Sequence, residues 1–272
     1  MIPPPAPAVP DKEFPWWLVA AGVLGAAVAV YVASSELYSQ ILSTIARGVL
    51  VTVFVTVTAF ALASALGLLL ALMALSAYRV LRQTARFYVE IIRGVPILVL
   101  LFWIAFAGVP ALVAAWNTVT APLQAAGLIS TLQVRDVSLL WRAIIALTVG
   151  YSAFLAEVFR AGIQSVDAGQ IEAAKALGLS TFQRFRLIVM PQALRTILPP
   201  LGNDFIAMVK DSSLVSVLGV ADITQMGKIY STGSFRFFET YSIVAYVYLL
   251  LTISLSLALR ALERRLRNSK AG

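Results

Sequence analysis

The chain alternates long apolar stretches with short basic ones. No Asp, Glu, Lys or Arg occurs within residues 14–35, 48–78 or 240–259. A helix rising 1.5 Å per residue needs about 20 residues to cross about 30 Å of hydrocarbon, so each gap is long enough to span. A fourth uncharged run, 94–134, is too long for one helix and is interrupted by Pro110, Asn117 and Pro122. It predicts one span followed by an irregular, weakly polar loop. The whole pattern predicts an all-α, polytopic membrane protein with about six transmembrane helices, near 15–34, 48–75, 87–108, 137–160, 196–220 and 240–259. A tail of residues 1–14 precedes a membrane domain of 15–260, and a basic tail of 261–272 follows it.

Composition agrees: 60% of the 272 residues are hydrophobic and 12% charged, against about 45–50% and 25% in soluble domains. The net charge of +8 argues for topology rather than for nucleic acid. With six spans, Lys12, the arginines at 79–86, the basic residues of 175–195 and those of 260–270 fall on one face, thirteen in all against four opposite. That asymmetry puts both termini in the cytoplasm. The N-terminal stretch is rich in proline and has no basic leader region, so the first apolar run reads as a retained helix. Cysteine and histidine are absent, which excludes disulfides, thiol nucleophiles and His/Cys metal centres. With 13 carboxylates besides, a membrane enzyme is disfavoured.

Charge inside the spans is the next signal. Asn203, Asp204, Lys210 and Asp211 all fall in the fifth span. Each charge at the centre of a lone helix costs about 2.5–3.5 kcal/mol on insertion scales, so these groups are expected to face protein or water. Lys210 and Asp211 are sequence neighbours and cannot face one another on a helix, whereas Asp204 and Asp211 share a face with Met208. A zwitterionic solute needs an anion and a cation as partners, and this helix carries both; a structural ion-pair network is the competing reading. Glu90 with Arg93, and Glu157 with Arg160, repeat a Glu-x-x-Arg pattern near span ends. At i,i+3 each pair can neutralise itself or contribute to a path.

The loop at 165–191 is organised by local signals. Asp167 caps a helix with Gln170 as its capping-box partner. Strong helix formers run over 171–177, and Gly178 supplies a left-handed C-terminal residue. Ser180 and Gln183 form a second box, and the helix they start is expected to end before Pro191. Two such short helices are marginal alone, so their capping suggests either a surface held for a partner or a tidy connector.

Glu172-Ala173-Ala174, then Gly178, then Ile188-Val189-Met190-Pro191, resemble the "EAA" motif of the permease subunits of ABC importers, with Met190 in place of the usual Leu. The flanks resemble the polar amino-acid branch of that family: Arg93-Gly-Val-Pro96, Tyr151 through Gln164, Pro191-Gln192-Ala193, Leu198 through Asn203, and Lys210-Asp211-Ser-Ser-Leu214. Val95 stands where Thr is common. The resemblance covers 90–227, about half the chain.

That likeness implies a type I ABC importer permease in a bacterial plasma (inner) membrane, taking up polar amino acids, of acidic or broad specificity. It implies that the loop docks on an ABC ATPase through Glu172, Ala173, Ala174, Gly178, Ile188 and Pro191, although a local pair with Lys175 is an alternative for Glu172. The implied partners are an ATPase dimer, a second permease chain and an extracytoplasmic substrate-binding protein. No phosphate-loop pattern occurs, so this chain is expected to bind no cofactor and to catalyse nothing itself, with ATP and Mg²⁺ on the ATPase. An ion-coupled secondary transporter is the alternative; such folds often show related halves, and no internal duplication is found here.

Overall fold

The computed structural model describes residues 16–268, with side chains through Leu262. Residues 1–15, including Lys12, and the side chains of Arg264, Arg265, Arg267 and Lys270 lie outside that set. Every regular element among the described residues is helical. The first, α1 (Trp16–Ser34), meets α2 (Glu36–Ala74) at Ser35. At 1.5 Å per residue, the 39 residues of α2 extend about 58 Å, well beyond the hydrocarbon thickness.

Helix α6 (Leu139–Gln164) packs along α2. Phe54 meets Trp141 edge to face at 6.3 Å, the Thr148 hydroxyl lies 3.5 Å from the Ala59 carbonyl, and Gly67 faces Leu155. The near-constant sequence offset means that the two helices run parallel. Their C-terminal ends, and the segments that follow Ala74 and Gln164, therefore lie on the same side of the bundle. Small residues let the backbones close in, as membrane helices require. A Cβ on Gly67 would lie 2.9 Å from Leu155 Cβ, and one on Gly48 would lie 2.5 Å from the backbone of Asp222 and Ile223.

The third span differs from the expected 87–108. Helix α3 (Arg79–Gly94) precedes it, the chain breaks at Val95-Pro96, and the apolar stretch runs through α4 (Ile97–Trp103), a π-helical turn (Ile104–Gly108) and α5 (Val109–Ala125). Most of the expected irregular loop is thus helix. Pro110 is accommodated because it occupies the first turn of α5, directly after the wide turn, where a missing N–H is cheap. Arg142 stabilises the wide turn by donating to the Ala105 carbonyl at 3.2 Å. Asn117, read as a breaker, instead clamps the returning chain: its amide donates to the Leu132 carbonyl at 2.8 Å and its carbonyl accepts from Leu132 N–H at 3.0 Å.

After α6 come α7 (Ala168–Ala176), α8 (Thr181–Arg184), a second π-helical turn (Phe185–Val189) and α9 (Met190–Asp211). A 3₁₀ segment (Ser212–Leu218) ends at Gly219, with φ 80°. Asp222 caps α10 (Ile223–Ser234) by accepting from Gln225 N–H at 2.8 Å, and α11 (Phe237–Asn268) closes the bundle, continuing through much of the stretch expected as a basic tail.

Five helical stretches among the described residues are long and apolar enough to cross a membrane: Trp16–Ser34, Glu36–Ala74, Ile97–Ala125, Leu139–Gln164 and Phe237–Leu262. The other expected span, 196–220, is more polar. Its helix is α9, which ends at Asp211. Two close approaches hold α9 within the bundle: a Cβ on Gly162 of α6 would collide with Ile197, and one on Gly202 with Leu259 of α11. Large apolar side chains such as Leu24, Leu50, Val119 and Phe238 are exposed all around, the surface of a protein solvated by lipid.

Candidate functional site: a capped loop and a charged groove

At the loop, the Asp167 carboxylate accepts from Gly169 N–H at 2.8 Å and Gln170 N–H at 3.3 Å. The cap expected at Asp167 is thus formed, and α7 begins directly after it at Ala168. The Gln170 side chain does not close the predicted box; its carbonyl accepts from the Gln192 amide at 2.6 Å, tying α7 to α9. Gly178 ends the helix at φ 78°. Its N–H donates to Lys175 at 3.0 Å and that of Leu179 donates to Ala174 at 3.1 Å, the two bonds of a Schellman closure. Ser180 and Gln183 form the expected reciprocal box, at 2.8 and 3.3 Å.

Pro191 does not stop the following helix. The chain stays helical from α8 into α9, because the π-helical turn at 185–189 widens the spiral just where the proline ring would meet a carbonyl of the previous turn. Ile188 and Val189 pack with Val166, Ala193 and Ile197, anchoring the loop to the membrane helices.

Of the residues expected to meet a partner, Glu172 and Ala173 are exposed, whereas Ala174 is buried in its own chain. Ala174 therefore serves internal packing, since a larger side chain would push α7 off its support. No ion pair joins Glu172 to Lys175 among the described residues. Sequence reasoning overlooked Leu177, Phe182 and Leu187, which are 80%, 69% and 63% exposed. Large apolar side chains beside a polar turn were the available signal.

A second constellation lies where α3, α4, α6 and α9 meet. A cavity of about 550 Å³ is lined by Arg93, Gly150, Tyr151, Phe154, Asp204 and Asp211, among others. The Tyr151 hydroxyl donates to an Asp211 carboxylate oxygen at 2.7 Å, and the Arg93 guanidinium sits 5.6 Å over the Phe154 ring. The shared face of Asp204 and Asp211 is therefore real, but Ala207 completes it rather than Met208, which is buried in the core. Asn203 and Lys210 are exposed and line neither this cavity nor the next. The cation facing the two aspartates is Arg93, from a different helix.

The neighbouring cavity, of about 440 Å³, lies between α2, α3 and α6 and includes Arg86, Glu90, Arg93, Glu157, Arg160 and Gln164. Arg160 Nε lies 3.2 Å from both Glu157 oxygens, and Nη1 donates to Gln164 at 2.7 Å. Self-neutralisation thus holds for Glu157 with Arg160. It does not hold for Glu90 and Arg93, which form no ion pair with each other. Tyr151, Phe154, Arg86 and Gln164 had no assigned role from sequence. For Phe154 and Gln164 the signal was a helical stripe through the fourth span, where residues 150, 154, 157, 160 and 164 recur at three- and four-residue steps.

A profile described as "binding-protein-dependent transport system inner membrane component" matches residues 63–268. The chain is 38% identical over 221 residues to the probable amino-acid permease protein YxeN of Bacillus subtilis, covering 81% of this chain and 90% of that one. It is 38% identical over 186 residues to the glutamine transport system permease protein GlnP of Escherichia coli, covering 68% and 75%. Its fold is similar to a chain of a crystallised amino acid ABC transporter with histidines, with TM-score 0.68, 36% identity, and 82% and 94% of the two chains covered. The MetNI methionine ABC transporter shares the fold at TM-score 0.61 and 21% identity, over 85% and 99%.

Proposed function

This chain belongs to the family of binding-protein-dependent transport system inner membrane components, and from that premise we propose that it conducts polar amino acids through the cavity shared by Arg93, Tyr151, Asp204 and Asp211. One observation carries the reading: two carboxylates on α9 face one guanidinium on α3 across a void inside a membrane bundle. Its size falls in the range of about 300–1,000 Å³ usual for small-ligand sites. The ammonium of an amino acid finds Asp204 or Asp211, and its carboxylate finds Arg93. With two aspartates and one arginine, the cavity offers no second cation for an acidic side chain. It therefore suits neutral or cationic amino acids better than acidic ones.

The polypeptide is a multi-pass membrane permease subunit. In the proposed assembly, two permease chains, this one paired with itself or a sibling, carry two ATPase subunits that bind ATP and Mg²⁺. An extracytoplasmic binding protein delivers the solute. Exposed Glu172 and Ala173, the Gly178 turn and the apolar trio Leu177, Phe182 and Leu187 form the ATPase-facing surface, stiffened from beneath by Ala174, Ile188 and the helix through Pro191. In this reading the loop and both termini lie in the cytoplasm, which the basic asymmetry of the sequence supports. Asn203 and Lys210, exposed on the face of α9 away from the cavity, suit the contact with the second permease chain, since lipid would not tolerate them.

The test is ATP-driven uptake in proteoliposomes holding the permease, its ATPase and its binding protein. Asp204→Asn and Asp211→Asn together abolish uptake while the complex still elutes intact. Parental uptake by that double variant would overturn the reading.

A further inference from the structure

The inner cavity has charge to spare that the outer one does not use. Glu157 and Arg160 close on each other, whereas Arg86, Glu90 and Arg93 line the same space without an ion-pair partner among the described residues. Side chains 86, 90 and 93 follow one face of α3 at i, i+4 and i+7. Opposite them runs the α6 stripe of Gly150, Phe154, Glu157, Arg160 and Gln164. The two stripes run antiparallel, since Ile97 packs on Gly150 while Arg86 shares the inner cavity with Gln164. They bound a single groove whose upper part is walled by α9 and whose lower part is walled by Leu70, Ala71 and Ala74 of α2. Arg93 lines both cavities, at the level where the wall changes.

We infer that the inner cavity is a second, exit-side binding site for the same amino-acid zwitterion, and that Arg93 hands the solute carboxylate from the outer cavity to Arg86. This rests on the outer cavity being the entry site. In the exit position Arg86 and Arg93 hold the carboxylate and Glu90 takes the ammonium. That fills the inner cavity's uncommitted charges without disturbing the Glu157–Arg160 pair. Arg93 is suited to the transfer because no carboxylate among the described residues holds it at ion-pair distance. Its contact is the Phe154 ring, a cation–π interaction of about 0.5–2 kcal/mol, weak enough to exchange for a substrate carboxylate. The break at Gly94-Val95-Pro96, just beyond it, gives the end of α3 a place to flex.

The chain has no cysteine, so a single introduced thiol is a unique reporter. Gln164→Cys reports on the inner cavity and Ala207→Cys on the outer. Each full-length variant, in permeabilised membranes with its ATPase, is labelled by a charged maleimide with and without a mixture of the common amino acids from which the thiol-bearing cysteine is left out. The mixture slows labelling at both positions, by about tenfold when the bound species is present at about ten times its Kd. Adding Arg86→Gln removes protection at Gln164→Cys and leaves it at Ala207→Cys, Arg86→Lys retains both, and Arg93→Gln removes both. Protection at Ala207→Cys with none at Gln164→Cys would overturn the exit site and leave the entry site standing. Protection at neither would overturn both. Protection at Gln164→Cys that survives Arg86→Gln would overturn the assignment of Arg86.

Discussion

The loop at 165–191 and the groove between α3 and α6 differ in how far apart their determinants lie. In the loop, the caps and turn bonds span two to five residues: Asp167 to Gly169 and Gln170, Leu179 to Ala174, Ser180 to Gln183. The groove draws Arg93, Tyr151, Asp204 and Asp211 from three helices spread over more than a hundred residues of chain. A surface made of local bonds keeps its shape whatever it docks against, because each bond is completed within one turn of chain. A cavity made of distant side chains exists only if every helix keeps its register, so its chemistry depends on packing elsewhere in the bundle. A docking element benefits from the first property, and a solute path that must open and close benefits from the second.

Glycine substitutions break this comparison most directly. Gly48→Ala places a Cβ against the backbone of Asp222 and Ile223, which no side-chain rotation relieves. The expected loss exceeds about 4 kcal/mol, read as failure to accumulate as a monodisperse particle on fluorescence-detected size exclusion. A monodisperse, stable Gly48→Ala protein would mean that α10 does not press on α2 as described.

Next in size is Asp211→Asn alone, which removes the charge from its hydrogen bond with Tyr151. Hydrogen bonds to charged groups are worth about 1.5–3 kcal/mol, so solute uptake is expected to fall by about ten- to a hundredfold with assembly intact. Tyr151→Phe should fall within the same range. Parental uptake in both variants would remove that bond from the path.

The loop counterpart is Gly178→Ala. Here a Cβ meets no atom within 4 Å, and only the φ of 78° opposes it, at about 1–2 kcal/mol. The bundle should keep its thermal midpoint while solute-stimulated ATP hydrolysis by the assembled importer drops severalfold. A lowered midpoint with normal coupling would reverse the assignment of this turn.

The smallest effects belong to the caps. Asp167→Ala and Ser180→Ala should each cost about 1 kcal/mol, seen as faster hydrogen exchange confined to residues 168–185. Protection lost across α6 and α9 as well would show that the loop is not locally self-supporting. Together the four measurements rank the two regions by how far a single methyl or hydroxyl reaches.

Much of this was legible before any coordinates. Hydropathy alone marked α1, α2, α6 and α11, because lipid imposes a uniform solvent over about twenty residues. Asp167, Gly178 and the Ser180–Gln183 box were read correctly, because capping is a local hydrogen-bond rule. Two local rules failed. Pro191 and Pro110 were read as stops, but a π-helical turn before each lets the spiral continue. Gln170 was assigned to its own cap, but a residue twenty-two positions away, Gln192, took it.

The sequence by itself therefore determined that the protein lives in a bilayer, where four of its long apolar helices fall, and which loop carries its own caps and glycine turn. Those properties follow from solvent transfer and short-range bonding, which act on consecutive residues. Only the tertiary structure decided which polar groups share a space. Lys210 sits beside Asp211 in the chain yet faces away from the cavity, and Arg93 on α3 supplies the cation instead. Nor did the pattern of residues reveal that Arg93 belongs to two cavities, or that Ala174 points inward. Helical rotation sends neighbours about 100° apart, and the packing of small residues at Gly67, Gly162 and Gly202 sets which faces meet.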